Sequence, residues 1–139
     1  MSEIARFIRR FSFFPVLGKA EGLRQPVHVD DLAQACFAAL NGPVANRAYN
    51  LSGGETLTYR EMVKRIFKSL ALTPRLLSVP LPMFRIAVVV LRLLPRYRKL
   101  TSAMAERMNR NMVFEHGEAQ KDLDFSPRRF ELPASDLPQ

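Results

Sequence analysis

A single cysteine, Cys36, stands in a chain of 139 residues. That excludes an internal disulfide and any zinc site built from several thiolates. Histidine is nearly as scarce, and neither His28 nor His116 has a nucleophile or metal partner near it in sequence. Acidic residues are also short, with 13 Asp and Glu against 21 Lys and Arg, a formal charge of +8. Such a balance favours anionic partners: phosphates, an acidic membrane surface or nucleic acid. No recognised nucleic-acid motif accompanies the charge, so nucleic acid ranks last. Long apolar runs are missing too. Leu81–Leu94 is the most apolar stretch, but Arg85 and Arg92 interrupt it, and it falls short of the ~20 residues that span a bilayer. The opening MSEIARFIRR has no apolar core of signal-peptide length. These features are compatible with a cytoplasmic protein. Neither G-x-G-x-x-G nor G-x-x-x-x-G-K-[ST] occurs, and there are no internal repeats.

What is there reads as one unit, mixed α/β and helix-rich. Ile4, Phe7, Ile8 and Phe11 recur at helical spacing, with Arg6, Arg9 and Arg10 turned away. Phe13–Leu17 suits a strand. Asp30 is a natural N-cap for a helix reaching about Asn41, with Asp31 favoured by the helix dipole. Leu32, Ala35, Cys36, Ala39 and Leu40 are expected as its buried stripe, which makes Cys36 an inert thiol. Tyr49 and Leu51 alternate with polar neighbours in an expected strand. Thr58 and Glu61 have capping-box spacing ahead of a helix whose core stripe runs from Tyr59 to Leu70. Leu76, Leu77 and Val79 suggest another short strand, bounded by Pro74 and Pro80. Helices are expected over 82–94, 101–110 (Met104 and Met108 inward) and 117–123, with Val113 and Phe114 extended. His28, held between two valines, reads as a structural hydrogen-bonding residue.

Two segments carry a resemblance. Arg24–Ala33 reads RQPVHVDDLA and Ala48–Glu55 reads AYNLSGGE. Both resemble the second half of the extended short-chain dehydrogenase/reductase family, the NAD-dependent epimerases and dehydratases of nucleotide sugars. Glu115–Pro127, EHGEAQKDLDFSP, resembles the family's closing pattern, with Asp124 where glycine usually stands. Asp also tolerates left-handed backbone. The resemblance runs from about Ile4 to Phe130. It implies a substrate-binding lobe over 1–130, a loose tail over 131–139, and a C-terminal portion lacking most of the Rossmann sheet. It also makes Ser52-Gly53-Gly54 an ordinary turn whose glycines supply backbone freedom.

The resemblance implies site residues as well. Arg24 occupies the place of an arginine that reaches the substrate's diphosphate, as a planar guanidinium with paired donors can. Phe14 is expected to line the base pocket, and Arg107 to make a second phosphate contact. Family members activate a catalytic tyrosine through a lysine four positions on, and no Tyr-x-x-x-Lys exists here. We therefore expect no catalytic residue, no metal site and no cofactor held by this chain; NAD or NADP belongs to the complete enzyme. The expected partners are a nucleotide-diphosphate sugar and the missing N-terminal Rossmann half. An apolar patch left exposed without that half implies self-association. Two alternatives stand beside this reading: a stand-alone sugar-nucleotide binding module, and a basic peripheral membrane-binding protein using Leu81–Leu100.

Overall fold

The amphipathic spacing near Met1 folds as a helix. In the computed structural model, which describes residues 2–42, 46–80, 82–84, 86 and 107–132, α1 runs Ser2–Phe11. It is followed by β1 (Phe14–Leu17), β2 (Leu23–Arg24), α2 (Val29–Asn41), β3 (Leu57–Thr58), α3 (Tyr59–Ser69), β4 (Leu76–Val79) and α4 (Gly117–Leu123). Residues 82–84, 86 and 107–109 are also helical and Arg110, expected to be helical, is in a bend; the rest of the helices expected over 82–94 and 101–110, Met104 included, lies outside the described residues. The sequence reads as one lobe over 1–130. The folded chain divides into two compact units, Met1–Leu23 with Thr58–Asn111 and Glu131–Gln139, and Arg24–Leu57 with Met112–Phe130. The small strands β2 and β3 pair with each other.

In the first unit β1 and β4 run parallel, Phe14 opposite Leu76 and Leu17 opposite Val79. A parallel pair needs a long crossover, and α3 lies within it. Thr58 caps α3 by accepting from the Glu61 amide, and Glu61 reaches back to the Thr58 amide at 2.9 Å, the capping box read from sequence. Its stripe packs as expected: Val63, Ile66 and Phe67 are fully buried, as are Ile8 of α1 and Val16 of β1. Fully burying such a side chain contributes roughly 1.5–3 kcal/mol, so this cluster is the unit's main stabilising term.

In the second unit, α2 departs from the expected stripe. Ala35 is buried against Ala119, Leu123 and Phe125, with Ala38 and Ala39 packed beside it. Cys36 is exposed, and so are Val29, Phe37 and Leu40, at 70%, 70% and 84%. The helix is apolar nearly all round, and its small-residue side is the one that faces α4. At 3.6 residues per turn, Val29, Ala33, Cys36, Phe37 and Leu40 fall within about 100° of its circumference. Cys36 is therefore not a buried thiol. Tyr49 and Leu51, expected in a strand, form none; they pack half-buried against the same cluster. Their alternation reflects one covered side rather than a ladder. Asp124 ends α4 in the left-handed region, at φ 51° and ψ 34°.

Candidate functional site

The site residue with the strongest warrant, Arg24, sits half-buried on β2 and forms a parallel bridge with Met112. Its neighbour Gln25 explains why this stretch is fixed. The Gln25 side-chain oxygen accepts from the Phe114 amide at 2.7 Å, and its NH2 donates to the Thr56 hydroxyl at 3.3 Å. The Gln25 carbonyl accepts from the Gly53 amide at 3.2 Å. A Cβ on Gly53 would stand 2.0 Å from the Pro26 carbonyl oxygen, and one on Gly54 would stand 2.2 Å from that of Pro127. Neither glycine has a positive φ. They are required for close approach of two backbones, not for the conformational freedom expected of them.

The segment then enters α2 differently from the expectation. The N-cap is His28, whose Nδ1 accepts from the Asp30 amide at 3.2 Å, so Asp30 is inside the helix. His28 has the structural role read from its setting. Asp31 is 4% exposed and accepts from the Arg128 amide at 3.0 Å and from its Nε at 2.8 Å. Two charge-assisted bonds, one to backbone, satisfy a carboxylate that could not otherwise be buried. Asp31 therefore ties α2 to the closing segment and does not merely complement the helix dipole.

The second unit also holds a cleft of about 590 Å3, lined by Tyr49, Asn50, His116, Glu118 and Lys121 among others. Ser52 Oγ donates to the Phe114 carbonyl at 2.8 Å and lies 2.6 Å from His116 Nδ1. The hydroxyl has one proton, so the imidazole N–H must donate to Ser52, leaving Nε2 without a proton in the neutral ring. Ser52 is thus spent on a carbonyl and is not an activated nucleophile. Tyr49 donates its hydroxyl to Asp122 at 2.8 Å, and Arg47 reaches the same oxygen at 2.6 Å. Partial desolvation, then the bond to the Asp122 carboxylate, pushes the phenol pKa up, so Tyr49 stays protonated at neutral pH. Sequence reasoning missed this constellation because Ser52 and His116 are 64 positions apart. Local spacing gives no signal for such a pair.

The other two expected site residues, Phe14 and Arg107, belong to the first unit. Phe14 is 8% exposed, its ring edge-on to Phe7 at 5.7 Å. Arg107 is exposed on the helical 107–109 segment. That segment is anchored by Asn109, which accepts from the Ala20 amide at 3.1 Å and donates to the Leu17 carbonyl at 3.0 Å. Among the described residues no group of His, Cys, Asp and Glu could hold a metal ion. No described helix is long and apolar enough to cross a membrane.

No protein-family profile matches the chain. The chain is 32% identical over 122 residues to the uncharacterized protein y4nG of Sinorhizobium fredii, a match covering 88% of this chain and 30% of that one. It is 31% identical over 78 residues to the Arabidopsis thaliana mitochondrial NADH dehydrogenase [ubiquinone] 1 alpha subcomplex subunit 9, covering 55% and 19%. Among solved structures it resembles the dTDP-glucose 4,6-dehydratase of Bacillus anthracis in complex with NAD, with TM-score 0.62 and 16% identity over 93% of this chain and 33% of that one. A UDP-glucuronic acid 4-epimerase from Bacillus cereus, also with NAD, gives TM-score 0.61 and 12% identity over 91% and 33%. The chain thus spans between about a fifth and a third of the length of the proteins it matches. Its mixed helix-and-strand architecture, with only small sheets among the described residues, has the fold of part of these NAD-dependent dehydratases and epimerases.

Proposed function

We propose that this chain is the substrate-binding C-terminal part of an NAD(P)-dependent nucleotide-sugar epimerase, dehydratase or reductase. One observation supports the reading: nearly the whole chain superposes on one third of such enzymes; the role of Arg24 in it comes from the sequence resemblance. In this reading the Arg24 guanidinium bonds the pyrophosphate oxygens, and the rigid Gln25–Gly53–Phe114 connections hold it in place. Hydride transfer belongs to a dinucleotide-binding part with its own Tyr-x-x-x-Lys pair, so this chain by itself binds without turning over.

The outer face of α2 supports a need for such a partner. Phe37 and Leu40 expose more apolar surface there than a helix of a finished core leaves in water. Covering that face is the role we assign to the dinucleotide-binding part; without it, copies of this chain associate through the same face. The test is calorimetric titration of the chain. UDP-glucuronic acid or dTDP-glucose should bind saturably and NAD should not. Stoichiometric NAD binding, or no heat with any sugar nucleotide, overturns the proposal.

A further inference from the structure

The first unit keeps several of its largest apolar side chains in water. Phe11 is 47% exposed, Phe13 38% and Leu77 57%. They are grouped, not scattered. The Phe7 ring lies 4.7 Å from that of Phe11 and 6.0 Å from that of Phe13, and Phe11 and Phe13 are 6.1 Å apart. Phe13 and Leu77 line one shallow groove of about 270 Å3 with Arg75 and Leu76. Two cations flank the group: the Arg10 guanidinium stacks over the Phe11 ring at 5.6 Å, and the exposed Arg75 lines the groove. Arg6, one turn before Arg10, is exposed and paired with Glu3 at 2.7 Å. Beyond β4, Met83 and Ile86 are exposed as well, at 62% and 66%.

The charge is distributed just as unevenly. The segments of the first unit hold sixteen Lys and Arg against six Asp and Glu, a formal +10; those of the second hold five against seven, a formal −2. The chain's +8 is therefore a property of the unit that carries the exposed rings.

We propose that this face of the first unit docks on an anionic bilayer. Phe11, Phe13 and Leu77 enter the headgroup boundary, while Arg10 and Arg75 lie along the lipid phosphates. Interfacial binding needs this pair of features together: apolar side chains to insert and cations to meet the anionic headgroups. Long arginine stems let the charge stay at phosphate level while the apolar neighbours go deeper. An apolar protein partner would match the rings but not the guanidinium groups of Arg10 and Arg75 beside them. A nucleic acid would match the charge but leave Phe13 and Leu77 without an apolar environment.

Co-sedimentation of the full chain with vesicles tests this. Phosphatidylcholine mixed with phosphatidylglycerol should pull the chain down; phosphatidylcholine alone should not, and raised salt should release it. Phe13→Ser with Leu77→Ser should weaken binding about tenfold. Arg10→Gln and Arg75→Gln should each weaken it about fivefold. All four positions are on the surface, and the wild-type comparison between the two lipid mixtures stands even if a variant folds poorly. Equal partition onto neutral vesicles, or failure to bind either, overturns the proposal. So does full anionic binding by the Phe13→Ser, Leu77→Ser variant, since attraction of a polycation to any polyanion would then suffice.

Discussion

Replacing Gly53 by alanine tests whether the backbone around Arg24 is as tightly fixed as its contacts imply. The added methyl group would stand 2.0 Å from the Pro26 carbonyl oxygen, where ordinary contact needs roughly 3.4 Å or more. The obstacle is backbone, so no rotamer change relieves it. The two strands of chain must separate by more than an ångström, and the 3.2 Å bond from the Gly53 amide to Gln25 breaks. Losing that bond costs about 1 kcal/mol, and forced overpacking adds about 1–3 kcal/mol. For a chain of this length the sum lowers the unfolding temperature by about 10 °C. Gly117→Ala is the control. Nothing lies within 4 Å of a Cβ there, and alanine is the better helix former, so its transition should stay or rise slightly. Thermal unfolding followed by far-ultraviolet circular dichroism reads both. A Gly53→Ala chain that melts with the wild type would refute the close-approach argument.

Other consequences follow from individual contacts. Thr58→Ala should cost about 1–2 kcal/mol in denaturant unfolding, through loss of the α3 cap. The Thr58 amide, then its hydroxyl, hold the Glu61 carboxyl below its usual 4.5; a depressed folded pKa means stability present above 4.5 and lost as pH falls through the folded value. The stability gap between wild type and Glu61→Gln should therefore shrink below pH 4.5, and a constant gap would contradict the capping box. Cys36 is exposed on the α2 face assigned to association, so at dilutions where the chain is monomeric it should react with a thiol reagent in native buffer as fast as in denaturant; strong protection of the monomer would contradict the placement of α2. Phe37→Ser with Leu40→Ser should reduce association seen by light scattering while changing unfolding free energy by no more than about 0.5 kcal/mol per site.

How much of this was legible in the sequence depended on what each residue answers to. The α3 stripe was readable because Val63, Ile66 and Phe67 alternate with charges on one periodic face; on α1 the same spacing held for Ile8, which is buried, but not for Phe11, which is 47% exposed. The Thr58–Glu61 cap was readable because its partners are three positions apart. Helix α2 was misread because a helix apolar on both sides offers two candidate stripes, and periodicity does not say which one the protein covers. The smaller one, around Ala35, faces α4. His28 makes the structural hydrogen bond expected of it, yet that this bond is the α2 cap could not be told from the nearer Asp30 by residue type alone. The bonds of Asp31 to Arg128, and of Ser52 to His116, join positions far apart in sequence. Only the fold brings them together. Arg24 was singled out by its motif, and the structure adds what the motif could not: the Gln25 and Gly53 contacts that hold its strand.

The most direct measurement is the affinity of UDP-glucuronic acid for three forms of the chain: wild type, Arg24→Lys and Arg24→Ala. A guanidinium bonded to a pyrophosphate contributes about 1.5–3 kcal/mol, so Arg24→Ala should bind about 10- to 100-fold more weakly. Arg24→Lys should fall between, since lysine keeps the charge without the paired donors. Equal affinity for wild type and Arg24→Ala would contradict the account at its centre.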